Sequence, residues 1–127
     1  MILIGVNDKG PLNYILEIHN SLNNIIWVNN AISKNHLKKL KSIKNWKNLK
    51  PKLILTGTSI GYKIDKKLVE YGKNNNIKTI VIIESWGKYK ERFFIKNKKY
   101  FPDYIIVNDK SSLNQIIKIG IENSRIF

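Results

Sequence analysis

Two carboxylates and one guanidinium have the types and positions best suited to chemistry. Asp8 follows the apolar run Ile2–Val6, and Glu84 follows the β-branched run Thr79–Ile83. Each sits where a buried strand gives way to a polar turn, and open α/β sheets bind ligands at that edge. A carboxylate there can deprotonate a hydroxyl or accept a hydrogen bond from one. Asp8 is a candidate general base, with helix capping as the competing reading. Glu84 is a candidate acid/base or hydroxyl ligand, with loop ordering as its alternative. Arg92 is one of only two arginines against 21 lysines. Its fork of donors suits a phosphate or carboxylate, unless it pairs with Glu91 or Asp103.

Weaker signals cluster around these residues. Gly57-Thr58-Ser59-Ile60-Gly61 follows the run Leu53–Thr56. Small residues between strand and helix let backbone N–H groups approach an anion, although a tight turn with a cap needs the same residues. The stretch has neither the GK[ST] ending of a phosphate loop nor a dinucleotide G-x-G-x-x-G. Lys9, Gly10 and Asn108 fall at the same edge and are candidate substrate contacts with Gly57, Thr58 and Ser59. Trp86 and Tyr89 could form a stacking platform for a sugar ring or nucleobase, or could simply close the core. There is no cysteine, so disulfides and thiolate metal sites are excluded. The two histidines, His19 and His36, lie in helix-like segments, and no carboxylate cluster suggests a metal. No cofactor is expected, and His19 reads as a hydrogen-bonded residue at the core edge.

Alternating strands and helices must position these groups. Thr79–Ile83 is apolar on both sides, as a strand covered on both faces must be, and is expected at the sheet centre. Ile2–Val6, Ile25–Val28, Leu53–Thr56 and Tyr104–Val107 are further strands, with another expected within Ile121–Phe127. Leu12, Ile15, Leu16, His19 and Leu22 share one helical face after Pro11. A lysine-rich helix is expected from Ser33 to about Lys44, and one carrying Ile64, Leu68 and Tyr71. A last helix should be opened by a Ser112/Gln115 capping box and stopped at Gly120. Glu84–Asp103 is the longest irregular connection and holds six of the thirteen aromatics. The expected fold is α/β: a Rossmann-like three-layer α/β/α sandwich with a parallel sheet of five or six strands, in a single domain, 1–127.

The formal charge of +14 accompanies abundant asparagine and isoleucine, the mark of an AT-rich coding sequence. Its distribution is uneven. No acidic residue occurs between Ile18 and Ile64, while nine lysines do. One side should therefore carry a concentrated positive field, suited to nucleic acid, a membrane surface or a phosphorylated substrate. The amphipathic Ser33–Trp46 segment could rest on an anionic membrane, or be a packed helix with a solvated lysine face. No leader and no spanning apolar run is seen; the expected location is cytoplasmic.

Phe101-Pro102-Asp103-Tyr104-Ile105-Ile106-Val107-Asn108-Asp109, then Gly120-Ile121 and Ser124-Arg125-Ile126, resembles the end of the first domain of GT-B-fold glycosyltransferases and the related UDP-N-acetylglucosamine 2-epimerases. There a "P-D-x-I-x-V" strand precedes a polar residue, a helix and "G-I-x-x-x-R-I". Leu53–Thr58 resembles the superfamily's "P-D-L-I" strand and loop, and Ile2–Gly10 its first strand and turn, here reduced to the one glycine, Gly10. The resemblance implies the acceptor-side half of a nucleotide-sugar enzyme, acting in glycosyl transfer or epimerisation. It would be incomplete without a second domain or a partner subunit. The implied ligands are a nucleotide-sugar and a sugar or lipid-phosphate acceptor, with peripheral contact at the inner membrane face. Two other classes fit the residues: a basic nucleic-acid-binding module, the weaker partner choice, and a stand-alone nucleotide- or phosphate-binding domain of flavodoxin-like type.

Overall fold

Five largely apolar runs and the short edge segment Ser42–Ile43 form six parallel strands, and the inner strands are too apolar to leave either face in water. The computed structural model describes residues 1–30, 41–84 and 86–127. Its strands are β1 (Ile2–Gly5), β2 (Ile25–Val28), β3 (Ser42–Ile43), β4 (Leu53–Thr56), β5 (Lys78–Ile82) and β8 (Tyr104–Ile106), in the order β3-β2-β1-β4-β5-β8. A short antiparallel hairpin, β6 (Phe94–Ile95) and β7 (Lys98–Lys99), stands outside the sheet. The helices are α1 (Lys9–Ile18), α2 (Ile64–Asn74), α3 (Tyr89–Phe93) and α4 (Lys110–Lys118). This is the expected Rossmann-like α/β architecture.

Successive residues of each strand enter opposite layers. Leu3 of β1 and Ile54 of β4 pack with Leu68 of α2, whereas Ile4 and Leu55 pack with Leu12 and Ile15 of α1. A third cluster joins Val81 and Ile105 to Phe93 of α3 and Ile116 of α4. Burying each fully covered aliphatic side chain contributes about 1.5–3 kcal/mol, so the interleaved layers fix which helix covers which face.

Several expectations change. The sheet centre is the β1–β4 pair; β5, which carries Ile80–Ile82, lies one strand in from the β8 edge. Apolar length reports coverage of both faces, which β1 and β4 share, and says nothing of order. Of the Ser33–Lys44 helix, residues 33–40 lie outside the described residues. Its expected end is instead β3, where the N–H groups of Trp27 and Asn29 donate to the carbonyls of Lys41 and Ile43. Pairing with the open edge of β2 outweighs helical propensity there.

Glu84–Asp103 is not irregular throughout, because burial of Phe93 and Tyr100 organises it into α3 and the hairpin. The cap of α4 is Asp109, which accepts from the Ser112 N–H at 2.7 Å. Ser112 therefore lies inside the helix, with its hydroxyl against Tyr89. Ile121–Phe127 forms a single turn, Asn123–Arg125, then one parallel bridge from Ile126 to Ile105. His19 does hydrogen-bond locally, its Nδ1 lying 2.6 Å from the Leu16 carbonyl. No helix among the described residues is long and apolar enough to cross a membrane.

Candidate functional site at the carboxyl edge

The order of the strands reverses at β1 and β4, from β3-β2-β1 on one side to β4-β5-β8 on the other. The carboxyl ends of these two strands are therefore the switch point at which open α/β sheets form a ligand crevice. Thr56 Oγ1 donates to the Gly5 carbonyl at 2.6 Å and ties the strands at its floor. Because β1, β4, β5 and β8 are parallel neighbours, Asp8, Gly57, Glu84 and Asn108 all leave the sheet along this rim.

Close backbone approach builds the crevice wall. A Cβ on Gly57 would stand 2.5 Å from Pro11 Cγ, so only glycine lets the turn after β4 rest on the first turn of α1. A Cβ on Gly10 would collide with Glu84 Oε2. The Glu84 carboxylate thus lies over the first turn of α1, where the helix dipole favours negative charge. Asp8 immediately precedes α1 but makes no side-chain cap; its Oδ1 accepts from Asn7 Nδ2 at 3.0 Å. Lys9 begins α1 and is exposed. Asn108 Nδ2 donates to the Glu84 carbonyl at 3.1 Å and joins the β8 end to the β5 end.

The turn after β4 is fastened from beneath by cations. Arg92 Nη1 donates to the Thr58 carbonyl at 2.9 Å and its Nε to the Gly87 carbonyl at 3.1 Å. The expected pairing of Arg92 with Glu91 or Asp103 is absent, since Asp103 serves Thr79 and Lys78 instead. Lys66 Nζ donates to the Ser59 carbonyl, and Ser59 Oγ to Asp65 Oδ1 at 2.8 Å. Two carbonyls of the turn thus face protein cations, and the Ser59 hydroxyl is already engaged.

Sequence reading missed Asp65 and Lys66, each only 2% exposed. Burial pushes the Asp65 carboxyl above its usual range, and the nearby Asp8 charge adds to this. Burial also pulls the Lys66 ammonium down. Asp65 Oδ2 has no hydrogen-bond partner among the described residues. It lies 3.8 Å from the Cβ position of Gly57. A signal existed: Asp65, Leu68, Val69 and Gly72 share the i, i+3, i+4, i+7 stripe of α2, so the acid falls on the buried face.

Trp86 and Tyr89 belong to a different place. Trp86 is 71% exposed, with its indole N–H on Asp109 Oδ2. The Tyr89 hydroxyl lies 2.8 Å from Ser112 Oγ. Both line a groove of ≈ 670 Å³ against α4, together with Lys88, Lys90 and Lys118. Asp8, Gly10, Gly57–Ser59, Glu84 and Arg92 thus gather at the crevice with Asn108 at its end, while the two aromatics face α4.

No family model, curated protein or solved structure matches this chain. Among the described residues no group of three or more His, Cys, Asp or Glu side chains could hold a metal ion. The crevice can therefore be read only from its own groups: two carboxylates above a glycine-lined wall, with the wall's turn clamped by Arg92 and Lys66. Such an arrangement can accept hydrogen bonds from ligand hydroxyls and take a proton from one.

Proposed function

We propose that the chain is the acceptor-side half domain of a nucleotide-sugar-dependent enzyme of GT-B type, acting in glycosyl transfer or nucleotide-sugar epimerisation. A second domain or partner subunit would supply most of the nucleotide contacts. The single observation that carries the reading is the Glu84 carboxylate lying over Gly10, two residues from Asp8, beside the point where the strand order reverses. Carboxylates suit a polyhydroxylated ligand, and Asp8 would take the proton of the reacting hydroxyl while Glu84 holds a neighbouring one. A lipid-phosphate acceptor would bring the chain to the inner membrane face. The test is calorimetric titration with N-acetylglucosamine 1-phosphate as a soluble acceptor mimic. Saturable binding that Asp8→Asn and Glu84→Gln both weaken is expected; binding that ignores both substitutions, or no binding, removes the proposal.

One observation favours a second reading, a mononucleotide-binding domain. The exposed Trp86 indole is held by Asp109 beside Lys88, Lys90 and Lys118, an arrangement suited to a stacked base and a phosphate. Saturable binding of UMP that Trp86→Ala abolishes and Asp8→Asn leaves intact would select this reading over the first.

A further inference from the structure

The lysine-rich segment Trp46–Lys52, within the acid-free stretch, takes no part in the crevice and borders α2. Two concavities, of ≈ 470 Å³ and ≈ 640 Å³, lie between α2 and the segment Trp46–Pro51. Both are lined by Lys47 and Tyr71 and adjoin at that pair, where the Tyr71 hydroxyl donates to the Lys47 carbonyl at 2.9 Å, so they make a two-lobed trough on either side of this bridge. Lys67 stands on one arm and Lys50 on the other, and Asn48, Asn74 and Asn75 supply amides along the rims. Glu70 is the one acid in the lining, and it is already satisfied by the Tyr62 hydroxyl and an ion pair with Lys98.

We propose that this trough binds single-stranded nucleic acid along its phosphodiester backbone, without reading base sequence. An elongated, cationic, concave surface matches a linear polyanion. Lysines act as point charges rather than base-reading forks, so contacts to phosphate dominate. A bilayer fits less well. The Trp46 indole is buried and cannot insert, and the amides of Asn48, Asn74 and Asn75 stand among the lining side chains, beside Ile64 and Ile77. Tyr62, 47% exposed at the end of the trough, offers a ring beside Lys67 for a splayed base.

The test is fluorescence anisotropy with a labelled oligouridylate of roughly twelve nucleotides, a length within the usual span of such sites, across a salt series. Two triple variants are compared: Lys47→Gln/Lys50→Gln/Lys67→Gln in the trough, and Lys96→Gln/Lys99→Gln/Lys110→Gln on the β6–β7 hairpin and the start of α4. All six lysines are exposed, so both variants should fold, and both remove the same charge. The trough variant is expected to lose at least about tenfold in affinity at low salt, with a salt slope shallower by about 2, as three lost phosphate contacts require. The control should keep the wild-type slope. Equal losses in both variants would reduce the effect to net charge and overturn the site. So would no binding by wild type, or capture by phosphatidylglycerol vesicles in its place. Asp8→Asn should leave oligouridylate binding unchanged, which separates this site from the crevice.

Discussion

The Glu84 carboxylate occupies the space that a side chain on Gly10 would fill. Two connections far apart in the chain, after β1 and after β5, therefore meet at a single missing methyl group. The contact sets an acid over the positive end of α1 and gives the crevice one of its two carboxylates.

Gly10→Ala separates the site from the fold. The obstructing atom is the end of a flexible side chain, so Glu84 can swing into solvent. Alanine is also favoured over glycine inside a helix by up to about 1 kcal/mol. Thermal denaturation should show stability unchanged or slightly raised, while sugar-phosphate affinity falls with the displaced carboxylate. A clear drop in melting temperature would mean that Glu84 is held more rigidly than this.

Gly57→Ala should behave oppositely. Its new Cβ would meet the Pro11 ring, at 2.5 Å from Cγ and 2.6 Å from Cβ, and neither the ring nor the turn can yield freely. Overpacking of this kind costs about 1–3 kcal/mol, readable as a lower midpoint in urea. An unchanged midpoint would show that the turn is not pressed against α1.

Asp65 makes stability depend on pH. Its folded-state pKa is raised, chiefly by burial, so folding favours the neutral acid. Stability from this group is complete below the unfolded pKa of about 3.9 and declines as pH rises from there to the raised folded value, above which it levels off. Asp65→Asn removes the titration while keeping an oxygen for Ser59 Oγ. The variant should gain on the wild type as pH climbs out of the acid range. Parallel stability curves for the two proteins would contradict a carboxyl whose folded-state pKa is raised by burial.

Asp109→Ala tests the true start of α4. Loss of the bond to the Ser112 N–H should cost about 1 kcal/mol, the usual worth of such a cap, and free the Trp86 indole, visible in its fluorescence. Gln115→Ala should cost little, because the Ser112/Gln115 box is not what caps the helix.

Local chemistry made part of this structure legible. Ile2–Val6, Ile25–Val28, Leu53–Thr56, Thr79–Ile83 and Tyr104–Val107 are largely apolar runs too short for helices, and turn residues at the carboxyl ends of four of them placed Asp8, Gly57, Glu84 and Asn108 on one edge. Strand order was not legible, because Ile4, Ile54 and Val81 are equally apolar whether central or one strand out. Ser42–Ile43 is a strand only because β2 offers an open edge, which no periodicity in two residues can announce. Lys66 reads like any of the surface lysines. Its burial depends on the Ser59 carbonyl, seven positions away and reached only once β4 and α2 have packed. Trp86 and Tyr89 followed the right strand, but the direction of their side chains was decided by Asp109 and Ser112 across the chain.

The crevice is tested most directly by backbone amide chemical shifts during titration with N-acetylglucosamine 1-phosphate. A ligand seated between β1 and β4 should shift Lys9, Gly10, Gly57, Thr58, Glu84 and Asn108 together, in one saturable transition. Shifts confined to Lys88–Glu91 and Ser111–Ile119, or none at those six, would place the ligand elsewhere and contradict the sugar-enzyme reading.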